Sequence, residues 1–501
     1  MKKFLCIVLI AALCTLCACG KKTERAPEAV TETGEILECS QYKITKEDGT
    51  VLLANGKDYV YTMLADGTVK ILGYNGTDSK LYVPDTIDGK KVTVIGTNAY
   101  YDNNALSTVT IPEGVTEIGD YAFRYDLEIR RVSLPASLAK IGINPFASCA
   151  MLGEIALAEG NTAFQLVDGV LYTKDGGTLI CCPMGLNLTE YDVPEGTRVL
   201  ADESVGNNTA LARVSIPASV EKIGMYAFSN CYALEEIVIP EGVKSLGADA
   251  FYYCVKLASV TLPAGLTEMA ANPFTTCTKL KNVVISPENP VFTCENACVT
   301  DKNGRLVAYL NGREDSAAFT LPAGVTVIGN GACYGCSALT EIALPEGITA
   351  IEPNAFGFCR KLASVTLPAT LTSVGSYAFA NCSAMTAIRL PEGVKEIGSS
   401  AFMMCSALKS VNVPEGVSEI GNSTFYHCDK LTDVTLPASL RSIGEGAFYA
   451  CAALTSLTLP EGVEKMSANC FMNCGKLTLR VKDGSYAEGF AVANGIPCET
   501  Y

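Results

Sequence analysis

Read along the chain, single apolar residues alternate with polar ones in short runs, and each run stops at an apolar–proline pair. The prolines of these pairs stand at 112, 135, 194, 217, 240, 263, 322, 345, 368, 391, 414, 437 and 460. Nearly every interval is 23, and the two exceptions, 135 to 194 and 263 to 322, are both 59. Fixed-period self-similarity marks a chain built from stacked units and outranks other patterns. A degenerate earlier unit carries Val83-Pro84.

The unit from Leu431 to Cys451 shows what each position predicts. Val434 and Leu436 alternate with polar neighbours, as in a half-buried strand. Pro437 lacks an amide donor and should end that strand. Leu440 and Ile443 point inward again, and Gly444 permits a tight bend. Ala447, Phe448 and Cys451 then close the coil with one large ring and two small fillers. One unit exposes too much apolar surface to fold alone, and stacking buries it. The predicted fold class is therefore a β-rich repeat solenoid of about 23-residue coils.

Each of the two longer intervals holds an additional strand, Glu154–Leu157 and Asn282–Ile285, followed by a predicted β-hairpin insertion (about 159–190 and 287–318). The first hairpin turns at Asp175-Gly176-Gly177 and the second at Asn303-Gly304, dipeptides that favour tight hairpin turns. The insertions occupy equivalent frames of the repeat, as a larger duplication would leave them. Both hairpins are expected to protrude. The ends read as caps: a hairpin from Tyr59 to Leu72 turning at Asp66-Gly67, and a short helix from Tyr486 to Asn494.

The first residues bear on location. Lys2 and Lys3 precede an apolar run from Phe4 to Leu16, too short to span a bilayer as a helix. The run ends in Leu16-Cys17-Ala18-Cys19, followed by Gly20-Lys21-Lys22. This resembles a bacterial lipobox, which implies lipidation of Cys19. The expected organisation is a lipoprotein signal peptide (1–18), a flexible lipidated tether (19–40), an N-terminal capping region (41–80), repeats (81–476) and a C-terminal cap (477–501). The formal charge of -15 excludes nucleic acid as a favoured partner, since phosphate binding needs basic surface.

The unit Leu-x-x-Val-x-Leu-Pro-x-x-Leu/Val-x-x-Ile-Gly-x-x-Ala-Phe-x-x-Cys is similar to the BspA-like class of leucine-rich repeats. The Cys position, the hairpin insertions and the closing Gly484-Ser485-Tyr486-Ala487-Glu488 segment carry the same resemblance. It covers residues 59 to 501. It implies a curved solenoid with strands on the concave face, on the surface of a host-associated bacterium. It also implies adhesion to host matrix proteins, host cells or other bacteria, through a protein or glycan partner.

Eleven of the 23 cysteines (149, 231, 254, 277, 336, 359, 382, 405, 428, 451 and 474) share one slot of the repeat. A metal row or a disulfide stack would use that slot, but small buried fillers explain the periodicity with no added partner. Cys333-x-x-Cys336 resembles half a zinc site, and no second pair or His-rich segment completes it. Cys294 with Cys298, and Cys181 with Cys182, could pair at the insertions. The single histidine, His427, holds a slot where other units have Asn230, Asn381 or Asn473, with no nucleophile–base arrangement around it. No catalytic constellation, metal site or cofactor is expected, and the absence of Trp argues against a sugar-stacking platform.

A binding face follows from geometry. Residues between the two inward strand positions must point outward on the concave sheet: Thr110, Ser133, Ser215, Val238, Thr261, Ala343, Thr366, Arg389, Asn412, Thr435 and Thr458. Arg389 and Asn412 are its distinctive members. The expected function is a lipid-anchored surface protein that binds a protein or glycan through this row and the hairpins. The alternative is a structural envelope protein without a dedicated ligand.

Overall fold

The structure is a computed structural model that describes residues 35–46, 50–312 and 319–501. Two rows of short parallel strands run along a solenoid. The long-strand row contains Thr108–Thr110, Glu236–Val238, Ala387–Arg389 and their equivalents, most of them followed by the apolar–proline pair. The short-strand row contains two-residue strands such as Ser245–Leu246 and Ser442–Ile443. Register is uniform: Glu236 lies beside Ser259 and Ser442 beside Lys465, each the equivalent residue of the next coil. The strand of the sample unit spans Asp433–Thr435 and stops short of Pro437.

Between the rows lies a core of stacked identical positions. Phe356, Phe379, Phe402, Phe425, Phe448 and Phe471 form a ring stack with centroids 5.3 to 5.7 Å apart. Offset stacking of this kind adds to the burial gain of each ring. The glycine that follows most short strands, among them Ser373–Val374 and Ser442–Ile443, has a role different from the bend expected of it. A Cβ on Gly444 would lie 2.5 Å from Asn422 Oδ1 and 2.8 Å from its amide nitrogen. On Gly375 it would lie 2.5 Å from the nitrogen of Pro353. At these coils glycine lets the backbones of adjacent turns touch.

The sharp corners fall elsewhere, on paired residues with positive φ: Tyr226 and Asn230, Tyr377 and Asn381, Ser423 and His427. Asn tolerates this left-handed region well, and bulkier side chains adopt it at a cost of about 1–3 kcal/mol.

The insertions differ from the expected protruding hairpins in two respects. Each is a three-stranded meander, Phe164–Val167, Val170–Thr173 and Thr178–Cys181 in the first. The second comprises Phe292–Glu295, Cys298–Asp301 and Arg305–Tyr309. The last strand of each joins the short-strand row in parallel, Thr178 beside Val199 and Arg305 beside Val327. Neither insertion protrudes. Val170, Leu171, Tyr172 and Leu179 are all buried. In the first meander Leu171 and Ile180 face one core cluster while Val170 and Leu179 face the other. Apolar residues on both faces of a strand demand cover on both sides, so the meander acts as an internal wall.

Opposite the meanders the coils close up as though nothing had been inserted. Asn144 Nδ2 donates to the carbonyl of Glu203 at 3.0 Å, and Asn272 Nδ2 to that of Gly331 at 2.9 Å, each pair 59 residues apart. A second asparagine, equivalent in the two copies, closes the entry to each meander. Asn161 Nδ2 donates to the carbonyls of Pro135 (3.0 Å) and Leu138 (2.9 Å), while its Oδ1 accepts from the amides of Ala163 (2.9 Å) and Phe164 (2.8 Å). Asn289 repeats this with Pro263, Leu266, Val291 and Phe292.

At the N-terminal end Tyr59–Met63 and Val69–Tyr74 pair antiparallel, and the latter lies parallel to Lys90–Ile95 in the short-strand row. A further hairpin, Gln41–Thr45 with Val51–Asn55, packs outside it. Leu37–Glu38 pairs with Tyr61 and Val60, and Cys39 is buried. Residues 37–39, inside the stretch 19–40 expected to be a tether, are thus part of the fold, because Leu37 and Cys39 have apolar surface to bury. The helix Tyr486–Ala493 covers the other end, with Ser485 accepting from the amide of Glu488 and burying Ala487, Phe490 and Ala491. No helix among the described residues is long and apolar enough to cross a membrane.

The candidate binding face and the thiol ladder

The expected row occupies the central outward position of the long strands. Ser215, Val238, Ala343, Thr366, Arg389, Thr435 and Thr458 are exposed, while Thr110, Ser133, Thr261 and Asn412 are half-buried. Register places Thr110 beside Ser133, Val238 beside Thr261, Ala343 beside Thr366, and Arg389 beside Asn412 and then Thr435. Ser133 and Ser215 are not adjacent: Ala156 lies beside Ser133, and Asp192 beside Ser215.

Asn412 differs from the rest. Its Oδ1 accepts from the amide of Leu390 at 3.0 Å and its Nδ2 donates to the Leu390 carbonyl at 2.9 Å. In neighbouring coils the equivalent amide bonds a backbone carbonyl, as Val413 does to Thr435. Asn412 thus replaces a ladder bond with its own amide, which commits that side chain to the fold.

The row extends beyond the residues singled out from sequence. Arg480 stands beside Thr458 and is exposed. It escaped notice because Thr478–Val481 carries no proline to mark the unit. At the other end the flanking outward positions hold linked charges. Arg213 meets Glu190 at 2.7 Å and Asp192 at 3.8 Å, and Arg131 meets Glu154 at 3.6 Å. Exposed Val238 and Val284 give the middle an apolar character. A cavity of about 310 Å³ adjoins Val284, lined also by Ser259, Lys281, Cys294 and Ala297 among others.

The repeated cysteine is more than a filler. Cys405 Sγ donates to the carbonyl of Phe379 at 3.1 Å, and Cys428 to Phe402, Cys451 to Phe425 and Cys254 to Phe228 at 3.1 to 3.2 Å. Every such pair is 26 residues apart, so each thiol bonds the aromatic residue of the preceding coil. The described cysteines are free thiols, most of them buried, Cys181, Cys182, Cys298, Cys333 and Cys336 among them. Burial pushes the Cys405 thiol up to about 12, which keeps it neutral and unreactive. Cys474, in the last coil, is half-buried and differs: a hydrogen bond from Cys451 draws its pKa below the ordinary thiol value. Cys333 fills the aromatic slot of its coil and is buried with Cys336. Among the described residues no group of three or more His, Cys, Asp or Glu side chains is placed to hold a metal ion.

His427 sits at a corner, with φ near 54°. Its Nδ1 lies 3.3 Å from Asp429 Oδ1, and its ring meets Tyr426 edge-on at 4.7 Å. The predicted lipidation site, Cys19, the signal peptide and the start of the tether lie outside the described residues.

A two-row solenoid whose typical coil supplies one strand to each row, one apolar–proline pair and one packed ring defines a leucine-rich-repeat protein. The chain belongs to the BspA type leucine rich repeat region family, which matches in six copies over residues 84–166, 184–300, 312–432 and 372–482. No curated protein matches it. Among solved structures it resembles a leucine rich cell surface protein from Faecalibacterium prausnitzii, with 24% identity over 76% of this chain and 94% of the other, at a TM-score of 0.44. A leucine-rich repeat protein from Bacteroides ovatus shares 22% identity over 89% of this chain and 99% of its own, at 0.36. The pneumococcal vaccine antigen PcpA shares 16% over 94% and 100%, also at 0.36.

Proposed function

We propose that this chain is a surface lipoprotein, held by an acyl group on Cys19, that presents its long-strand face to a protein or glycan on a host or on another bacterium. The observation that carries this reading is the face itself. Its outward side chains Thr366, Arg389, Thr435, Thr458 and Arg480 are exposed along a run of parallel strands. A rigid sheet holds such side chains at fixed spacing, so little ordering entropy is lost on binding. The repeat family and the lipobox-like residues before Gly20 support the surface location. The central strands of the meanders, Val170–Thr173 and Cys298–Asp301, are largely buried, which favours the strand face as the contact region.

The test is binding of the protein to arrays of matrix proteins, glycans and bacterial surfaces at fixed salt. The control pairs Arg389→Glu with Arg480→Glu and leaves Asn412 in place, since that side chain holds Leu390. A partner lost with the two arginine changes supports the face. A blank array favours the structural envelope reading, which the structural use of Asn412 already suits.

A further inference from the structure

We propose that the strand Val51–Asn55 is the surface through which two copies of this chain pair, edge against edge. Among the described residues its hydrogen-bonded neighbour is Gln41–Thr45 alone, so its other edge is open. Natural edge strands are blunted with charge, proline or cover, because bare amides and carbonyls template another strand. The strand itself carries no charge or proline, and among the described residues nothing pairs with its outer edge. It reads Val51-Leu52-Leu53-Ala54-Asn55, with Val51 52% exposed, Leu52 42% and Leu53 69%.

Three observations select a second copy as the occupant. The strand is self-complementary: turned antiparallel about Leu53, it sets Leu53 against Leu53, Leu52 against Ala54 and Val51 against Asn55. Directly opposed apolar pairs of this kind are the unit of sheet stabilisation. The chain carries a formal charge of -15, so copies repel one another over most of their surface, and this uncharged strand offers approach without that repulsion. The hairpin is also held in place beforehand. Thr45 Oγ1 donates to Asp85 Oδ2 at 2.5 Å and Lys43 pairs with Asp85 at 3.4 Å, while Ser40 Oγ donates to Asp88 Oδ1 at 2.6 Å. A preset edge loses little freedom on pairing. The pairing is independent of the ligand proposed for the strand face, which lies on a different sheet.

The test uses the full chain in the membranes of the cell that makes it, under mild oxidation, with mass read on a non-reducing gel. Leu53→Cys places two thiols opposite each other across the two-fold and should double the apparent mass. Leu52→Cys offsets them along the strands, beyond the separation a disulfide spans, and should stay at the mass of one chain. Val238→Cys, 65% exposed and far from the edge, controls for collision and should also stay single. Absence of the doubled band with Leu53→Cys overturns the proposal. Equal cross-linking of all three variants overturns it as well, because it reports random encounter.

Discussion

Replacing Asn161 with alanine should destabilise the solenoid more than any exposed substitution on its binding face. The side chain is 4% exposed and serves four backbone groups: two carbonyls it donates to and two amides it accepts from. A buried backbone group left without a partner costs about 1–3 kcal/mol. The Pro135 carbonyl keeps the Leu138 amide at 3.3 Å, so three groups lose their partner; taking the lower end for each, because the loop can relax, the loss is about 3 kcal/mol. Asn289 makes the same bonds but is half-buried. Water can replace part of its network, so Asn289→Ala should cost roughly half as much. Repeat arrays unfold segment by segment, so hydrogen exchange of the Asn161–Val167 stretch should accompany urea denaturation as the assay. The reasoning fails if Asn161→Ala unfolds within about 0.5 kcal/mol of the parent, the range of an ordinary surface change. It fails equally if Asn289→Ala proves the costlier of the two.

Four further outcomes follow from the same structure. Gly375→Ala should cost about 1–3 kcal/mol, read from the urea midpoint, since its Cβ would press on the backbone of the preceding coil. A water-soluble alkylating reagent should modify Cys474 before any other ladder thiol, seen by mass mapping, because it alone is half-exposed with a lowered pKa; faster labelling of Cys405 contradicts that. Burial holds the Glu203 carboxyl above its usual range even with Arg124 at 3.5 Å. Its contribution to stability is complete below the unfolded pKa of a glutamate and declines as pH rises through the raised folded value. Glu203→Gln should therefore gain in melting temperature relative to the parent between pH 4 and pH 8, and a gap that moves the other way refutes the sign. Finally, Cys19→Ala should release the protein from membranes, and continued membrane fractionation of that variant would refute lipidation there.

The coil was legible in the sequence because packing repeats its demands at every turn of the solenoid. Val434, Ile443 and Phe448 each mark a position that every neighbour needs filled in the same way. The meanders were read as two strands instead of three. Asp168-Gly169 is as good a hairpin signal as Asp175-Gly176, yet its counterpart Asn296-Ala297 lacks the glycine and conceals the turn. Their burial was missed for a physical reason: Val170-Leu171-Tyr172 does not alternate, which is what a strand covered on both faces looks like. Gly444 was assigned to a bend, whereas the clash it avoids lies with Asn422 of the preceding coil, a contact no local pattern reveals. The same holds for Asn412, which reads as a polar surface residue until Leu390 is seen beside it. The residues of the face were legible by parity alone, since every second strand position must point outward. What they bind is encoded in no repeat, because a ligand meets several coils at once and leaves no periodic trace.

The constant offset from each thiol to its carbonyl has a consequence for how such a chain can change length. Every ladder bond joins a residue to the one 26 positions earlier, whichever coil it belongs to. Gain or loss of whole units through slippage during gene copying leaves every surviving bond with a partner of the same kind. A gain of any other size breaks the ladder at one step, unless the added residues return the chain to frame, as the first meander does, where Asn208 Nδ2 donates to the Cys182 carbonyl 26 residues earlier. Reach is therefore open to rapid variation between related strains while the cross-section stays fixed. The lineage can alter how far it extends without redesigning what it is made of.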